Sequence, residues 1–142
     1  MITSSNLKDL RLELIADEGI RRRPYKDTLG VLTIGVGHNL QKEGLCAEAI
    51  MAQLDYDIRT KCLPLYDRLY WLSGKPEVIQ RVLLNMAFQM GIEGVLSFKA
   101  TLAAAQAEQW SEMAHHMGNS KWATQTPNRA KRLIDLVKSL VV

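Results

Sequence analysis

The chain has 142 residues, of which 47% are hydrophobic, and its formal net charge is +3. This length suits one folding unit, and the composition is that of a globular domain. No apolar run reaches membrane-spanning length and the N-terminus is too polar and too periodic for a signal peptide, so we expect no integral membrane segment. The modest positive charge fits an anionic partner only weakly.

The first predicted element is a helix over residues 5–18, with Ser4 or Ser5 as its N-cap. Apolar residues recur there at helical spacing, at Leu7, Leu10, Leu14 and Ile15. Gly19 is expected to end the helix at Glu18. Apolar neighbours and the negative end of the helix dipole would both disfavour an ionised Glu18, which suits a general acid. The alternative is an ordinary surface glutamate.

A β-hairpin is predicted next, within a small lobe over about residues 19–44. The segment 27–30 predicts a turn, because Gly30 adopts positive φ without strain. Apolar residues then alternate as in a strand, at Leu32, Ile34 and Val36. We expect Asp27 to stay ionised in this polar turn and Thr33 to face away from the apolar side. The alternative is a turn aspartate and a threonine present for its β-propensity.

A connecting helix over about residues 45–62 is predicted to lead into a helical lobe over about residues 63–142, which the N-terminal helix joins. After the turn at Pro76, a helix with apolar residues on nearly all sides is expected to be buried and to end at Gly91. Two shorter helices are predicted near residues 98–107 and 110–117, in a lobe where Trp110 and Trp122 are expected to be core residues.

The last predicted helix begins with Thr126 as N-cap and Pro127 at the first helical position. Its apolar stripe comprises Ala130, Leu133, Ile134, Val137 and Leu140. Arg129, Lys131 and Arg132 occupy the first two turns, where the helix dipole disfavours cations. A nearby anion, such as an acidic side chain or the substrate, would offset this cost. The alternative is a solvated basic face.

Cys46 and Cys62 are expected to be free thiols. On one helix they would lie about 24 Å apart, whereas a disulfide requires Cα atoms within about 7 Å. Neither cysteine has a nearby ligand partner, so we expect no metal site.

Two groups of residues, far apart in the chain, form recognisable motifs. The first comprises Asp17-Glu18-Gly19, Tyr25-Lys26-Asp27-Thr28, Gly30 and Thr33-Ile34-Gly35-Val36-Gly37-His38. The second comprises Asn85-Met86-Ala87-Phe88-Gln89-Met90-Gly91, Gly94-Val95, Phe98, Trp110, Trp122 and Gln125-Thr126-Pro127-Asn128-Arg129-Ala130-Lys131-Arg132. Together they resemble the phage-type lysozymes, the endolysin muramidases of glycoside hydrolase family 24. The resemblance implies an α+β, mostly helical, two-lobed lysozyme-like fold.

The resemblance also implies a reaction and its residues. Glu18 would be the general acid, and Asp27 and Thr33 would position the attacking water and stabilise the oxocarbenium charge. The bond cut would be the β-1,4 bond between N-acetylmuramic acid and N-acetylglucosamine in peptidoglycan, without a metal or cofactor and with inversion. His38 would be structural, with Asp55 as its acidic partner.

Further positions follow from the same resemblance. Arg129 would be a basic residue near the acid. Positions expected to bind the sugar strand are Gly37, Phe88, Gln89 and Thr101. The stretch from His38 to Asp55 is shorter than in the T-even phage member of the family, which predicts a trimmed small lobe. The expected partners are peptidoglycan glycan strands and, for access to the wall, a holin. We expect a monomer that lyses the host cell. It would be located in the host cytoplasm until the membrane is permeabilised and then in the periplasm or cell wall.

Three other functions are weighed against this one. A lytic transglycosylase cuts the same bond and forms an anhydro sugar, but it works with one catalytic glutamate, so Asp27 and Thr33 argue against it. A non-catalytic wall-binding domain would have no use for the acid at Glu18. A nucleic-acid binder using residues 129–132 would show steeply salt-dependent binding, but no nucleic-acid motif is present and we expect no such partner.

Overall fold

In the computed structural model, which describes residues 1–142, a three-stranded sheet and nine α-helices follow one another along the chain. They form two units, called here the N-terminal unit (Met1–Met51) and the C-terminal unit (Ala52–Val142). The α+β, mostly helical class predicted from the sequence is confirmed. The lobe boundaries drawn from the sequence, with the first helix assigned to the helical lobe, stay a prediction.

The sheet of the N-terminal unit is antiparallel, in the order β1-β2-β3. The elements are α1 (Ser4–Glu18), β1 (Arg21–Lys26), β2 (Leu32–Gly35), β3 (His38–Asn39) and α2 (Leu40–Glu43), and α3 (Ala47–Asp57) crosses into the second unit. The short α2 is not predicted from the sequence. Its side-chain N-cap, Asn39, accepts a hydrogen bond from the Lys42 N–H at 2.9 Å, which favours a helical turn directly after the strand.

The two ends of α1 differ in how well the sequence predicts them. The N-cap is Thr3 rather than Ser4 or Ser5, because the Thr3 hydroxyl accepts a hydrogen bond from the Asn6 N–H at 3.2 Å. At the other end Gly19 adopts a φ of 75° and its N–H donates to the Ile15 carbonyl. The predicted end of the helix at Glu18 is therefore confirmed.

The hairpin also follows the prediction. Gly30 has a φ of 78°, and its N–H donates to the Asp27 carbonyl at 3.0 Å. Tyr25 pairs with Thr33, and Lys26 pairs with Leu32. A turn residue of positive φ and alternating β-propensity on either side are local features, so the sequence alone indicates them.

Thr33 is the one buried residue of the N-terminal unit, with 4% of its surface exposed. The sequence predicts the opposite, that Thr33 faces away from the packed side. Its neighbours Leu32 and Ile34 are only partly buried. Because this unit lacks an apolar core of its own, its hairpin depends on backbone hydrogen bonds more than on burial.

The C-terminal unit contains the hydrophobic core. After α3 its elements are a π-helical turn (Ile58–Cys62), α4 (Leu65–Arg68), a 3₁₀ turn (Leu72–Gly74), α5 (Glu77–Leu96), α6 (Lys99–Gln106), α7 (Trp110–Gly118), α8 (Lys121–Gln125) and α9 (Pro127–Lys138). The short α4 and α8 and the π-helical ending are not predicted from the sequence. A single turn carries too few residues for a periodic pattern.

The central helix α5 is buried as predicted. The core residues it supplies are Ile79, Val82, Leu83, Met86, Ala87 and Val95. Its backbone breaks at Gly91, with a φ of 80°, so the regular helix ends there and one further turn follows. On α9 the predicted stripe is confirmed for Ala130, Leu133 and Val137, which are buried, and for Ile134, which is partly buried, whereas Leu140 lies beyond the end of the helix. The Thr126 hydroxyl donates to the Trp122 carbonyl at 2.9 Å instead of capping α9.

Trp122 is a core residue, as the sequence predicts. It is 7% exposed, its ring meets the Phe98 ring edge to face, and its indole N–H donates to Gln89 Oε1 at 2.9 Å. Trp110 is partly buried against the same core. None of the helices combines the length and the apolar character that crossing a bilayer requires.

Both cysteines are free thiols, as predicted, but their surroundings differ. Cys46 is exposed, whereas Cys62 is 4% exposed. Burial raises the pKa of the Cys62 thiol, and the Lys61 ammonium offsets only part of this. A raised pKa leaves less thiolate, the nucleophilic form, at a given pH. We therefore expect a disulfide reagent at pH 8 to modify one thiol per folded chain rapidly and two per chain in denaturant.

The control for this prediction is Cys46→Ser, which should remove the rapid phase and leave the slow one. Raising the pH should accelerate the slow phase, because the Cys62 thiolate forms only at higher pH. Two rapid phases in the wild-type protein would contradict the burial of Cys62.

Candidate active site

Glu18 is placed by the end of α1 against the backbone of a glycine. A Cβ atom at Gly37 would lie 2.6 Å from Glu18 Oε2 and 2.9 Å from its carboxyl carbon, closer than such contacts occur in proteins. Gly37 also has a φ of 59°, which glycine adopts without strain. The position of the carboxyl group thus depends on the missing side chain at Gly37.

Glu18 lies in more polar surroundings than the sequence predicts. It is exposed, makes no hydrogen bond or ion pair, and the stripe of α1 buries none of its leucines. Leu14, one turn earlier, is 45% exposed. The predicted apolar neighbours are therefore not found, because amphipathic spacing only indicates which face of a helix is apolar and not what covers it.

Asp27 is fixed in the hairpin turn by one of its two carboxylate oxygens. Oδ1 accepts hydrogen bonds from the N–H groups of Leu29 at 2.8 Å and Val31 at 2.9 Å. The Asp27 N–H donates in return to the Val31 carbonyl at 3.0 Å. Oδ2 accepts no hydrogen bond from the protein, so it is the oxygen that can contact a water molecule or a substrate.

Thr33 is hydrogen-bonded to Val31, as Asp27 is. Its hydroxyl donates to the Val31 carbonyl at 2.8 Å. Because the hydroxyl proton is used in this bond, the free lone pair of Oγ1 can only accept a hydrogen bond. The Val31 peptide units thus join Asp27 and Thr33, and the action of both residues on one water molecule stays a prediction.

His38 has a different partner from the one that the resemblance implies. Its Nδ1 lies 3.5 Å from Glu43 Oε2, and its Nε2 lies 2.5 Å from the Gly44 carbonyl oxygen. Both ring nitrogens therefore have partners inside the N-terminal unit. The pairing with Asp55, a residue of the C-terminal unit, stays a prediction. α2 places the Glu43 carboxylate beside the ring only five residues after His38.

In the C-terminal unit Arg129 is held by an amide. Its Nε donates to Asn85 Oδ1 at 3.0 Å, and its Nη2 donates to the Oδ1 and to the carbonyl oxygen of Asn85 at 2.8 and 3.2 Å. No carboxylate of this unit pairs with Arg129, so its positive charge stays available for an anion. Its proximity to the acid Glu18 stays a prediction.

The other predicted binding residues of the C-terminal unit fall in two places. Phe88, 37% exposed, lines a pocket of about 380 Å³ together with Arg129. Thr101, only 2% exposed, lines another of about 440 Å³ beside Trp122. Gln89 is exposed and accepts a hydrogen bond through Oε1 from the Trp122 indole N–H, which can only donate. The amide nitrogen of Gln89 is therefore free to donate. Their binding roles stay predictions.

Nothing in the structure assembles a metal site, because no three His, Cys, Asp or Glu side chains lie close enough to ligate one ion. The chemistry open to the N-terminal unit is that of two carboxyl groups in unlike settings. Glu18 is free of hydrogen bonds, and Asp27 is held by backbone N–H groups. This asymmetry suits an acid and a water-activating base.

Residues 16–138, which include Glu18, Asp27 and Thr33, match the family described as Phage lysozyme. The chain belongs to the phage lysozyme family. As a lysozyme it is a hydrolase of bacterial cell-wall peptidoglycan. The resemblance drawn from the two sequence motifs is confirmed.

Individual relatives extend this likeness over almost the whole lysozyme chain. It is 30% identical over 164 aligned residues to the probable T4-type lysozyme 1 of Dictyostelium discoideum, with 95% of each protein covered. It is 30% identical to a region of the pre-baseplate central spike protein Gp5 of Enterobacteria phage T4, covering 85% of this chain and 26% of that protein. Peptidoglycan hydrolase gp36 of Pseudomonas phage phiKMV is 31% identical, with 87% of this chain and 14% of that protein covered.

Three residues that contact the predicted site residues within their own units are missed by reasoning from the sequence. Val31 acts through its backbone, so its side chain gives no signal. Glu43 could have been found from its short distance to His38 after the capping residue Asn39. Asn85 belongs to a quoted motif, but its contact with Arg129 spans 44 residues and leaves no local pattern.

Gly37→Ala tests the contact that positions Glu18. The added methyl group would overlap Oε2, so the carboxyl must move by about 1 Å, and a shift of that size can lower activity about 100-fold. We expect this loss in the rate of cell-wall clearing. Alanine at positive φ should also lower the free energy of unfolding by about 1–2 kcal/mol.

The matched control is Gly35→Ala. Gly35 has a similar φ of 66°, but a Cβ atom there meets no atom within 4 Å. It should lose the same stability and keep activity within a few-fold. Equal losses of activity in both variants would show that backbone strain, rather than contact with Glu18, matters at this position.

Asp27→Asn tests the role of Oδ2, which accepts no hydrogen bond, separately from that of Oδ1, which holds the turn. The asparagine carbonyl oxygen can still accept the hydrogen bonds from Leu29 and Val31, so the turn and the melting temperature should be kept. The amide nitrogen replaces Oδ2 and cannot activate water, so activity should fall about 10²–10⁴-fold. A folded variant with wild-type activity would remove Asp27 from the reaction.

Proposed function

We propose that this lysozyme is a phage endolysin, an inverting muramidase. It hydrolyses the β-1,4 bond between N-acetylmuramic acid and N-acetylglucosamine and thereby lyses the host cell. The observation that carries this proposal is the pair of unlike carboxyl groups in the N-terminal unit. Glu18 is packed on Gly37 without a hydrogen bond, and Asp27 is held through one oxygen only.

In the proposed reaction Glu18 donates its proton to the leaving glycosidic oxygen. Asp27 Oδ2 and Thr33 Oγ1 accept hydrogen bonds from one water molecule, which attacks the anomeric carbon from the opposite face of the sugar. Asp27 takes a proton from this water and does not itself attack the anomeric carbon. No covalent intermediate therefore forms, and the configuration inverts. Inversion requires a gap of about 6.5–9.5 Å between the two carboxyl groups.

The wider role belongs to the same proposal. The enzyme would act as a monomer, remain in the host cytoplasm until a holin permeabilises the inner membrane, and then reach the periplasm and cell wall. Support comes from the phage proteins among its relatives. Synthesis of the protein in a bacterium should leave cells intact until the inner membrane is permeabilised and cause rapid lysis afterwards. Lysis without permeabilisation would contradict this role.

The reaction is tested by digesting purified peptidoglycan and analysing the fragments by mass spectrometry. The wild-type enzyme should release reducing N-acetylmuramic acid ends, with the α-anomer formed first in a nuclear magnetic resonance time course, since inversion of a β bond gives α. Glu18→Gln nearly preserves the shape of the side chain and should lower the rate about 10²–10⁴-fold.

The matched control is Glu13→Gln, which makes the same chemical change on the same helix at an exposed position without a predicted role. It should keep wild-type activity. Anhydro-muramic ends in the wild-type digest would instead identify a lytic transglycosylase, and full activity of Glu18→Gln would remove Glu18 from the reaction.

A further inference from the structure

Strand β1 carries a concentration of positive charge that the proposed reaction does not use. Four of its six residues are cationic: Arg21, Arg22, Arg23 and Lys26. All four are exposed, and none takes part in any of the six ion pairs of the structure. Arg21–Lys26 is called the basic strand below. Unpaired like charges in one short segment repel each other, so an anionic partner would reduce this electrostatic repulsion.

The backbone turns the middle of the basic strand out of the sheet. Arg21 lies opposite Gly35 and Tyr25 lies opposite Thr33, so residues 22–24 bulge opposite Ile34 alone. β1 is also an edge strand, paired on one side only. Charges and Pro24 on an edge guard against pairing between molecules. The bulge also presents the two adjacent guanidinium groups of Arg22 and Arg23 to the solvent.

Tyr25, the aromatic residue of the basic strand, is already in contact with a cationic side chain. The Arg21 guanidinium carbon lies 4.4 Å from the centre of the Tyr25 ring. This contact holds Arg21 in place and covers one face of the ring. Single-stranded nucleic acids bind by stacking their bases on open aromatic faces. The basic strand therefore suits an anionic polymer without bases.

The basic strand is joined directly to the candidate active site. Lys26 precedes Asp27 in the chain, and Tyr25 pairs across the ladder with Thr33. A peptidoglycan strand bound at Asp27 and Thr33, as proposed above, would have the basic strand beside it on the same hairpin. Muramic acid residues of peptidoglycan carry stem peptides with free carboxylates, which are the natural anions beside a cleaved glycan.

We infer that the basic strand binds the stem-peptide carboxylates of peptidoglycan and so holds the wall polymer next to the reacting bond. The guanidinium groups of Arg22 and Arg23 supply the paired donors that match a carboxylate. The inference rests on the proposed function, because the carboxylates belong to the substrate of the same site. It adds an electrostatic binding surface on the N-terminal unit.

The test measures co-sedimentation with purified peptidoglycan sacculi in the Glu18→Gln background, so that the wall is not digested. The double variant Arg22→Gln/Arg23→Gln should bind about tenfold more weakly at low ionic strength, and the difference should shrink as salt screens the charges. The matched control is Lys8→Gln/Arg11→Gln, which removes the same charge from exposed, unpaired positions on α1. It should change binding less than twofold.

Treated sacculi identify the anion. Conversion of the carboxylates to neutral amides should abolish the difference in sacculus binding between the protein with Arg22 and Arg23 and the double variant Arg22→Gln/Arg23→Gln. Treatment with hydrofluoric acid, which removes phosphate polymers, should preserve it. Loss of the difference after acid treatment would assign the surface to a phosphate polymer and overturn the inference.

Other results would also overturn it. Equal weakening in both double variants would show that only net charge matters. An equal or larger effect on binding to DNA or to phosphatidylglycerol vesicles would assign the basic strand to a different partner. Failure of the proposed function is read separately, as the absence of reducing muramic ends in the wild-type digest, whereas this binding is measured without cleavage.

Discussion

The backbone of Val31 is the constraint on which the candidate active site depends. Its N–H donates to Asp27 Oδ1, and its carbonyl accepts from both the Asp27 N–H and the Thr33 hydroxyl. The same bonds close the hairpin and orient the two side chains that we propose act on water. One set of local backbone hydrogen bonds therefore forms the turn and also fixes the geometry of the candidate site.

The lysozyme places this site in the part of the chain with the least apolar packing. The N-terminal unit buries only Thr33, whereas α5, α7 and α9 of the C-terminal unit share a continuous core. A unit with few buried contacts opens more readily than a packed helical core. Local hydrogen bonds therefore have to hold the geometry of the candidate site, and the contacts of both His38 nitrogens within this unit add to them.

The two carboxyl groups show how one short segment prepares two chemical roles. Asp27 is held by amide hydrogen bonds that use one oxygen and leave the other free. Glu18 has no such bonds, and its place is set by the shape of the Gly37 backbone. Hydrolysis by two carboxyl groups requires one proton donor and one group that activates water, and these two settings suit the roles that we propose for Glu18 and Asp27. The basic strand lies on the hairpin that carries the acceptor.

The elements that follow local rules could be predicted from the amino-acid sequence alone. The end of α1 at Gly19, the turn at Gly30 and the stripe of α9 all depend on residues within a few positions of each other. The motifs also sufficed to indicate the lysozyme family. The contact of Arg129 with Asn85, 44 residues away in the chain, and the burial of Thr33 could be found only in the folded structure. These features depend on where the folded chain brings other residues, and side-chain spacing carries no information about such contacts.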